Sequence, residues 1–428
     1  MFVIGAGMSG QAAAKLATDL GYDVTGYDRD SRTAHYMRSS GYVWADTWER
    51  SLISDVDLVV TSPGVPPSAP SIVDTLDAGL TLWSELEFAA RHVTAPIAAV
   101  TGTNGKTSTV SAASMMLEAS GIRVCAAGNI GTALSEVALG SWDAIVVEAS
   151  SFQLQFTEAF HPSGAAILNV ARDHLDWHGS DKAYAAAKAR ITANQRESDL
   201  LVYGADDAGA AGVAAASCAT LLAVSGRRIP ENGAGVSAKK LRLGYSIFTA
   251  PDLSADFLED LVAAAAIARH MGATEEGIRI GLESFQPGAH RRATVGSWDG
   301  VSWVNDSKAT NPHAALSAAS AYSSVVLLAG GKSKGIDLTP MGSMNTVRRV
   351  VAMGESTEEI AEVFGRETVI QVSSMDEAVQ LADEIARPGD TILLAPGCAS
   401  FDMFASYGDR GEAFTEAVLA RKCGFHGQ

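Results

Sequence analysis

A lysine and a hydroxyl directly behind a glycine turn, Gly102-Thr103-Asn104-Gly105-Lys106-Thr107-Ser108, carry the clearest chemistry in this chain. The apolar run Ile97 to Val100 ahead of them is of strand type, and the pattern predicts a helix opening at Thr107. A strand–turn–helix of this kind aims backbone N–H groups and a helix N-terminus at one point, which suits polyphosphate. Lys106 adds positive charge for the β- and γ-phosphates, and the Thr107 hydroxyl can ligate Mg²⁺. The loop is two residues shorter than the general G-x-x-x-x-G-K-[ST] pattern, because its first glycine is Gly102. The competing explanation is an ordinary turn with a chance Gly-Lys-Thr. Strand, glycines, lysine and hydroxyl all in working order count against it. We expect a bound mononucleotide, ATP.

Other polar groups fall at strand ends. Ile145-Val146-Val147-Glu148 places a carboxylate where it completes a Mg²⁺ shell or caps the following helix. His174 follows the next strand, Ala165 to Val170, where it could reach the same metal or be structural. Lys188 lies on a helix expected over Ala183 to Ile191, a setting in which most lysines are solvated. Gly128-Asn129-Ile130-Gly131 offers an amide side chain from a turn. Near the start, Gly5-Ala6-Gly7-Met8-Ser9-Gly10 with Asp28 some way on has the G-x-G-x-x-G layout of dinucleotide-binding folds, and such a turn holds any diphosphate. Asn305 to Pro312, Gly330 to Gly335 and Pro396 to Asp402 each close a strand; singly bland, together they read as a ligand surface.

These residues need strands and helices to hold them, and the chain supplies both in alternation. At 428 residues, 47% hydrophobic and 19% charged, it has room for two or three domains with ample core. A net charge of −17 argues against nucleic acid or an anionic membrane as the main partner. Cys125, Cys218, Cys398 and Cys423 are scattered without zinc spacing and fit a reducing compartment. Neither a signal peptide nor an apolar run of bilayer length is visible, so a cytoplasmic location is expected.

The alternation predicts an α/β protein of three units. The first, 1–94, has a strand Phe2-Val3-Ile4, a helix Gln11 to Leu20, strands Asp23 to Tyr27 and Val56 to Thr61, and a helix Leu82 to Arg91. Its opening strand is so short that a few more residues are expected ahead of it. The second, 95–287, carries strands Ile97–Val100, Val124–Ala126, Ala144–Glu148, Ala165–Val170 and Leu200–Tyr203, then helices Asp252 to Met271 and Glu275 to Phe285. The third, 288–428, carries strands Trp303–Asn305, Val325–Ala329, Val350–Ala352, Thr368–Gln371 and Thr391–Leu394.

Taken in order, Gly102–Thr107, Glu148–Gln153, Asn169 with Asp173-His174, Asn305–Pro312, and Ser400-Phe401-Asp402 with Arg410-Gly411 and Phe414 resemble the Mur ligase family over nearly the whole chain. The likeness is greatest to the member that adds D-glutamate to UDP-N-acetylmuramoyl-L-alanine. It implies a Rossmann-like UDP-binding domain, a central P-loop ATP-binding domain with a parallel sheet, and a C-terminal Rossmann-like domain. It also implies ATP and Mg²⁺ as cofactors, and a monomer without nucleic-acid or membrane partners. By resemblance, Gly7, Met8, Ser9, Asp28, Ser62, Pro63 and Gly64 hold the UDP group, and Asn129 faces the substrate. Gly102, Thr103, Asn104, Gly105, Lys106, Thr107 and Ser108 cradle ATP, with His290, Arg291 and Asp306 lining the nucleotide. Lys106 acts in catalysis. Thr107, Glu148 and His174 hold metal, with Lys188 at the position that this family carbamylates. Lys308, Thr310, Lys334, Ser400 and Tyr407 receive D-glutamate. Where family members place an adenine-touching asparagine on the Ala-rich helix, this chain has Asp260. Three competing functions have less support: a sibling ligase with another amino acid, an NAD-dependent oxidoreductase resting only on Gly5–Gly10, and a nucleotide-regulated binding module.

Overall fold

The computed structural model describes residues 1–423. Residues 424–428, the end of the expected third unit, and the Cys423 side chain lie outside the described residues. The described residues form three sheets in two compact units. Residues 1–170 and 177–285 build the first unit; residues 171–176 and 286–423 build the second. The α/β architecture expected from the alternation is present.

Five parallel strands make the first sheet, in the order Val43–Ala45, Thr25–Tyr27, Phe2–Ile4, Leu58–Thr61, Thr81–Ser84. The chain winds outward from Phe2–Ile4 on one side and restarts at Leu58–Thr61 on the other. A crevice therefore opens above these two strands, where the Gly5–Gly10 and Ser62–Pro66 loops leave them. Gly10 is obligatory here: a β-carbon on it would lie 1.8 Å from the Gly5 carbonyl oxygen.

The second sheet has nine strands, parallel from Val124–Gly128 through Ala144–Glu148, Ile97–Thr101, Gly164–Ile167, Leu200–Gly204 and Thr220–Ser225 to Ala234–Ser237. Lys240–Leu243 and Ser246–Thr249 extend it antiparallel. Alternate residues of its central strands enter different cores: Ala98, Val100 and Val146 pack under the helices Lys106–Ala119 and Ala255–His270, while Ala99, Ile145 and Val147 face the other way. That second core runs on into the first sheet through Val3, Leu86, Phe88, Leu134 and Phe160. Burial on both faces explains why these strands read as continuous apolar runs. Ile97–Thr101, flanked by Ala144–Glu148 and Gly164–Ile167, is the switch-point strand at which ligands collect.

In the second unit, Ala293–Trp298 pairs antiparallel with Val301–Asn305, and Thr391–Leu394, Val325–Gly330, Val347–Met353 and Val369–Gln371 follow in parallel. Three adjacent strands thus end in the three loops singled out from sequence.

Several elements differ from expectation. Leu82 to Arg91 is not one helix: Thr81–Ser84 is an edge strand, and the helix is Glu85–Ala90. Ser84 divides them, its hydroxyl accepting the Glu87 N–H at 3.2 Å as an N-cap. Strands at Val43–Ala45, Thr220–Ser225, Ala293–Trp298 and in 234–249 were not expected. The phosphate-loop helix starts at Lys106, one residue early. Cys125, Cys218 and Cys398 are unbridged. No helix of the described residues is long and apolar enough to cross a membrane.

Candidate active site

The switch-point strand delivers Gly102 to Gly105 to the helix Lys106–Ala119. Gly105, at φ +89°, is the residue before this helix, and a β-carbon on it would lie 2.2 Å from Asp260 Oδ1. Only glycine closes the turn there. Asn169 clamps the loop from the neighbouring strand end. Its carbonyl accepts the Thr103 N–H at 3.0 Å, and its Oδ1 accepts the Asn104 N–H at 2.8 Å. Lys106 Nζ donates to the carbonyls of Gly102 at 2.8 Å and Thr103 at 3.1 Å. Ser108 Oγ, in the first turn, is buried without a hydrogen-bond partner among the described residues. A helix N-terminus, a folded-back lysine and an orphaned hydroxyl fit a polyphosphate.

Thr107 and Glu148 meet as the strand order requires. Thr107 Oγ1 donates to Glu148 Oε2 at 2.8 Å, and Asn129 Nδ2 donates to Glu148 Oε1 at 3.0 Å. The hydroxyl and carboxylate are hard oxygen donors of the kind Mg²⁺ takes. Glu148 is no helix cap. That place belongs to Ser150, which accepts the Gln153 N–H at 3.2 Å while Gln153 Oε1 accepts the Ser150 N–H at 3.0 Å.

Lys188 is not a solvated helix lysine. It is 1% exposed, and its Nζ donates to the Gly102 carbonyl at 2.7 Å. It also lies 4.5 Å from the Tyr184 ring centroid. Tyr184 was missed from sequence. Its hydroxyl is 3.1 Å from Thr103 Oγ1, so it braces both the lysine and the phosphate loop. The signal was the i, i+4 spacing, which puts the two on one helix face. His174 belongs to the 171–176 stretch of the second unit. It adopts φ +53°, with its N–H donating to Asp173 Oδ1 at 2.9 Å; Asp173 Oδ2 in turn accepts Asn311 Nδ2 at 3.0 Å.

Beside the phosphate loop, within the same unit, a cavity of about 820 Å³ opens over the switch point of the first sheet. Gly7, Met8 and Ser9 wall it from one loop, Ser62, Pro63 and Gly64 from another, and Asp28 from a strand end. Asn129 closes the side nearest Glu148. Asp28 accepts the N–H groups of Ala6 at 2.6 Å and Asp30 at 2.8 Å, which fixes the first glycine turn. Tyr27, Trp48 and Val65 line the cavity as well and carry no motif.

The loops of the second unit are tied together. Lys332 and Ala399 exchange backbone hydrogen bonds at 2.9 and 3.0 Å. Arg410, 2% exposed, donates to Ser307 Oγ at 3.0 Å and to the Cys398 carbonyl at 3.1 Å. Lys308 Nζ sits 3.8 Å from the Tyr407 ring centroid, and Lys334 Nζ 5.6 Å from that of Phe401. Ser400 is buried, its carbonyl accepting the Phe404 N–H at 2.8 Å, and the Thr310 N–H donates to the Lys308 carbonyl at 2.8 Å. The Lys308 N–H donates to the His290 carbonyl at 3.1 Å, and Asp306 lies 3.7 Å from Arg292. Arg291 acts on Asp306 through its charge.

Burial pushes the Asp306 carboxyl up to about 6, with Arg292 and Arg291 pulling against it. The folded value lies above the ordinary 3.8. This group therefore stabilises the fold fully below pH ~4 and loses that contribution as pH rises through ~6. Asp306→Asn should flatten that limb of the melting-temperature curve, read by scanning fluorimetry across the same window. An unchanged slope would rule this out.

Residues 100–234 match the Mur ligase middle domain, 290–398 the Mur ligase glutamate ligase domain, and 1–139 the alanine dehydrogenase/PNT C-terminal domain. A UDP-N-acetylmuramoylalanine--D-glutamate ligase of Frankia casuarinae is 39% identical over 99% of this chain and 94% of its own. The Myxococcus xanthus protein of the same name is 37% identical over 98% of each. Among solved structures, a pseudomurein peptide ligase type C from Methanothermus fervidus shares the fold at TM-score 0.62 and 18% identity, over 97% of this chain and 99% of that one. A MurF ligase from Thermotoga maritima in complex with ADP does so at 0.62 and 16%, over 93% and 95%. A phosphate loop beside a nucleotide-sized cavity, matched from end to end by these relatives, leaves one conclusion: the chain belongs to the Mur ligase family.

Proposed function

We propose that this chain uses ATP to join D-glutamate to UDP-N-acetylmuramoyl-L-alanine in peptidoglycan precursor synthesis. The observation that carries this reading is the hydrogen-bonded line Thr107–Glu148–Asn129, which runs from the phosphate loop to the wall of the cavity. A uridine diphosphate held by the glycine turns would leave the alanyl carboxylate at the Asn129 end, close to the γ-phosphate. Transfer of that phosphoryl group to the carboxylate gives an acyl phosphate and ADP. The amine of D-glutamate then attacks the carbonyl, and the tetrahedral adduct expels phosphate to leave the amide. Lys106 balances charge on the transferring group. Mg²⁺ would be held by Thr107 and Glu148, with His174 and the carbamate form of Lys188 as further ligands, and would supply charge neutralisation at the phosphates. Gly102 to Ser108 hold the triphosphate, His290, Arg291 and Asp306 border the nucleotide, and Lys308, Thr310, Lys334, Ser400 and Tyr407 receive D-glutamate. A dianionic amino acid needs cations and short hydroxyl donors, which this set contains. The functional division follows 1–94, 95–287 and 288–428. On this reading the enzyme works as a cytoplasmic monomer without nucleic-acid or membrane partners.

Phosphate release measured with each D- and L-amino acid in the presence of UDP-N-acetylmuramoyl-L-alanine tests the assignment. D-glutamate should support it; stimulation by another amino acid instead would overturn it. Lys308→Ala and Ser400→Ala should each raise the KM for D-glutamate about tenfold or more while the KM for ATP stays within about twofold. A rise confined to ATP would move the amino-acid site elsewhere.

A further inference from the structure

Glu85 is a fully buried carboxyl in the helix Glu85–Ala90, far from every glycine loop in sequence. Its Oε1 accepts the Ser135 N–H at 2.7 Å, across fifty residues of chain. Ser135 lies in the first turn of the helix Leu134–Val137, directly after the segment that supplies Gly128, Asn129, Gly131 and Ala133 to the cavity wall. The other end of this segment is pinned to the central sheet, where the Asn129 N–H donates to the Glu148 carbonyl at 2.8 Å. Within the segment, the Gly128 N–H donates to the Thr132 carbonyl at 2.8 Å. The segment is therefore anchored at its strand end by the sheet and at its helix end by Glu85.

The helix that carries Glu85 is itself fixed. Two residues on, the buried Glu87 accepts the N–H groups of Glu158, Ala159 and Phe160 at 2.9 to 3.1 Å, and Arg91 Nε at 2.6 Å. Glu87 ties the helix to the 158–160 loop that leads into the strand Gly164–Ile167, so Glu85 is held at a fixed place rather than on a flexible tether. Leu86 and Leu134 share the same core with Ala13 and Ala14 of the helix Met8–Asp19, which follows the first glycine turn. Moving Ser135 would shift the Asn129 wall relative to the opposite wall.

The Glu85 interaction is also costly to hold in any other way. Glu85 Oε2 and Ser135 Oγ are both buried without hydrogen-bond partners among the described residues. Burial pushes the carboxyl up from its usual value. Glutamine matches the carboxyl in shape and keeps the acceptor.

We propose that Glu85 is a positioning residue for the cavity: through the Ser135 N–H it sets where Asn129 stands, an inference resting on the cavity being the UDP-substrate site. Glu85→Leu keeps the volume and removes the acceptor; Glu85→Gln keeps both. In Glu85→Leu the KM for UDP-N-acetylmuramoyl-L-alanine should rise about tenfold, with the KM for ATP within about twofold. Glu85→Gln should stay near the parent in both. Hydrogen exchange of 128–138 in the free protein, which requires no substrate, should quicken in Glu85→Leu and not in Glu85→Gln.

Unchanged exchange in Glu85→Leu would overturn the positioning role whatever the substrate is, as would equal rises in both KM values. Quickened exchange in a protein whose parent form does not use the UDP substrate would uphold the anchor and overturn the cavity's assignment. If Glu85→Leu does not fold, Glu85→Gln decides: exchange of 128–138 as slow as in the parent upholds the acceptor role, and quickened exchange overturns it.

Discussion

Lys106→Ala is expected to lower turnover at least a hundredfold while leaving the melting temperature nearly unchanged. The lysine's cation meets charge that builds on the phosphoryl group as it transfers, and removing one such preorganised donor costs roughly 3 kcal/mol of barrier. In the structure Lys106 Nζ folds back onto the Gly102 and Thr103 carbonyls, so it is already seated at the loop where phosphates would lie. The stability cost should be small because the lysine is only partly buried and bonds the loop carbonyls of Gly102 and Thr103. Steady-state phosphate release decides it. Activity within tenfold of the parent would remove the phosphate-loop assignment.

Lys188→Ala should be nearly as damaging, and its rescue behaviour separates two roles. One is mechanical: Nζ bonds the Gly102 carbonyl at 2.7 Å and rests on Tyr184, so alanine would loosen the phosphate loop. The other follows the family resemblance, in which this lysine takes up CO₂ as a carbamate and releases a proton. That converts a donor into an oxygen pair of the kind Mg²⁺ prefers. Both roles predict a loss of about a hundredfold or more. Only the carbamate predicts partial recovery with added acetate or formate, which can place a carboxylate in the vacated space. A fully active variant would sink both, and inactivity without recovery would leave the mechanical role alone.

The phosphate loop, the first glycine turn and the three loops of the second unit were legible because each combines a local apolar run with residues that only a turn tolerates. The hairpin of 234–249 was not. Its first turn is Ala238-Lys239 at φ +48° and +58°, a conformation that sequence normally marks with Asn or Gly. Nothing in Ser237-Ala238-Lys239-Lys240 announces it. Leu82 to Arg91 misled for the opposite reason: Leu82, Leu86 and Ala89 mimic helical spacing, although the run contains a Ser84-x-x-Glu87 helix-start pattern.

The burial of Lys188 lay beyond the sequence altogether. An Ala-rich helix gives little periodicity, and only the fold shows that its lysine-bearing face meets Gly102. Tyr27 and Trp48 in the cavity are likewise ordinary strand and loop aromatics until the fold brings them to the cavity wall.

Residues 171–176 belong to the second compact unit although the chain on both sides of them belongs to the first. The two units are thus interleaved along the gene rather than laid end to end. A fragment starting at 286 would lack Asp173, the carboxylate that accepts Asn311 Nδ2, and Arg172, which lies 4.0 Å from Asp337. Excision at one cut point cannot yield the second unit whole, and domain exchange between relatives has to carry two separate pieces of sequence together.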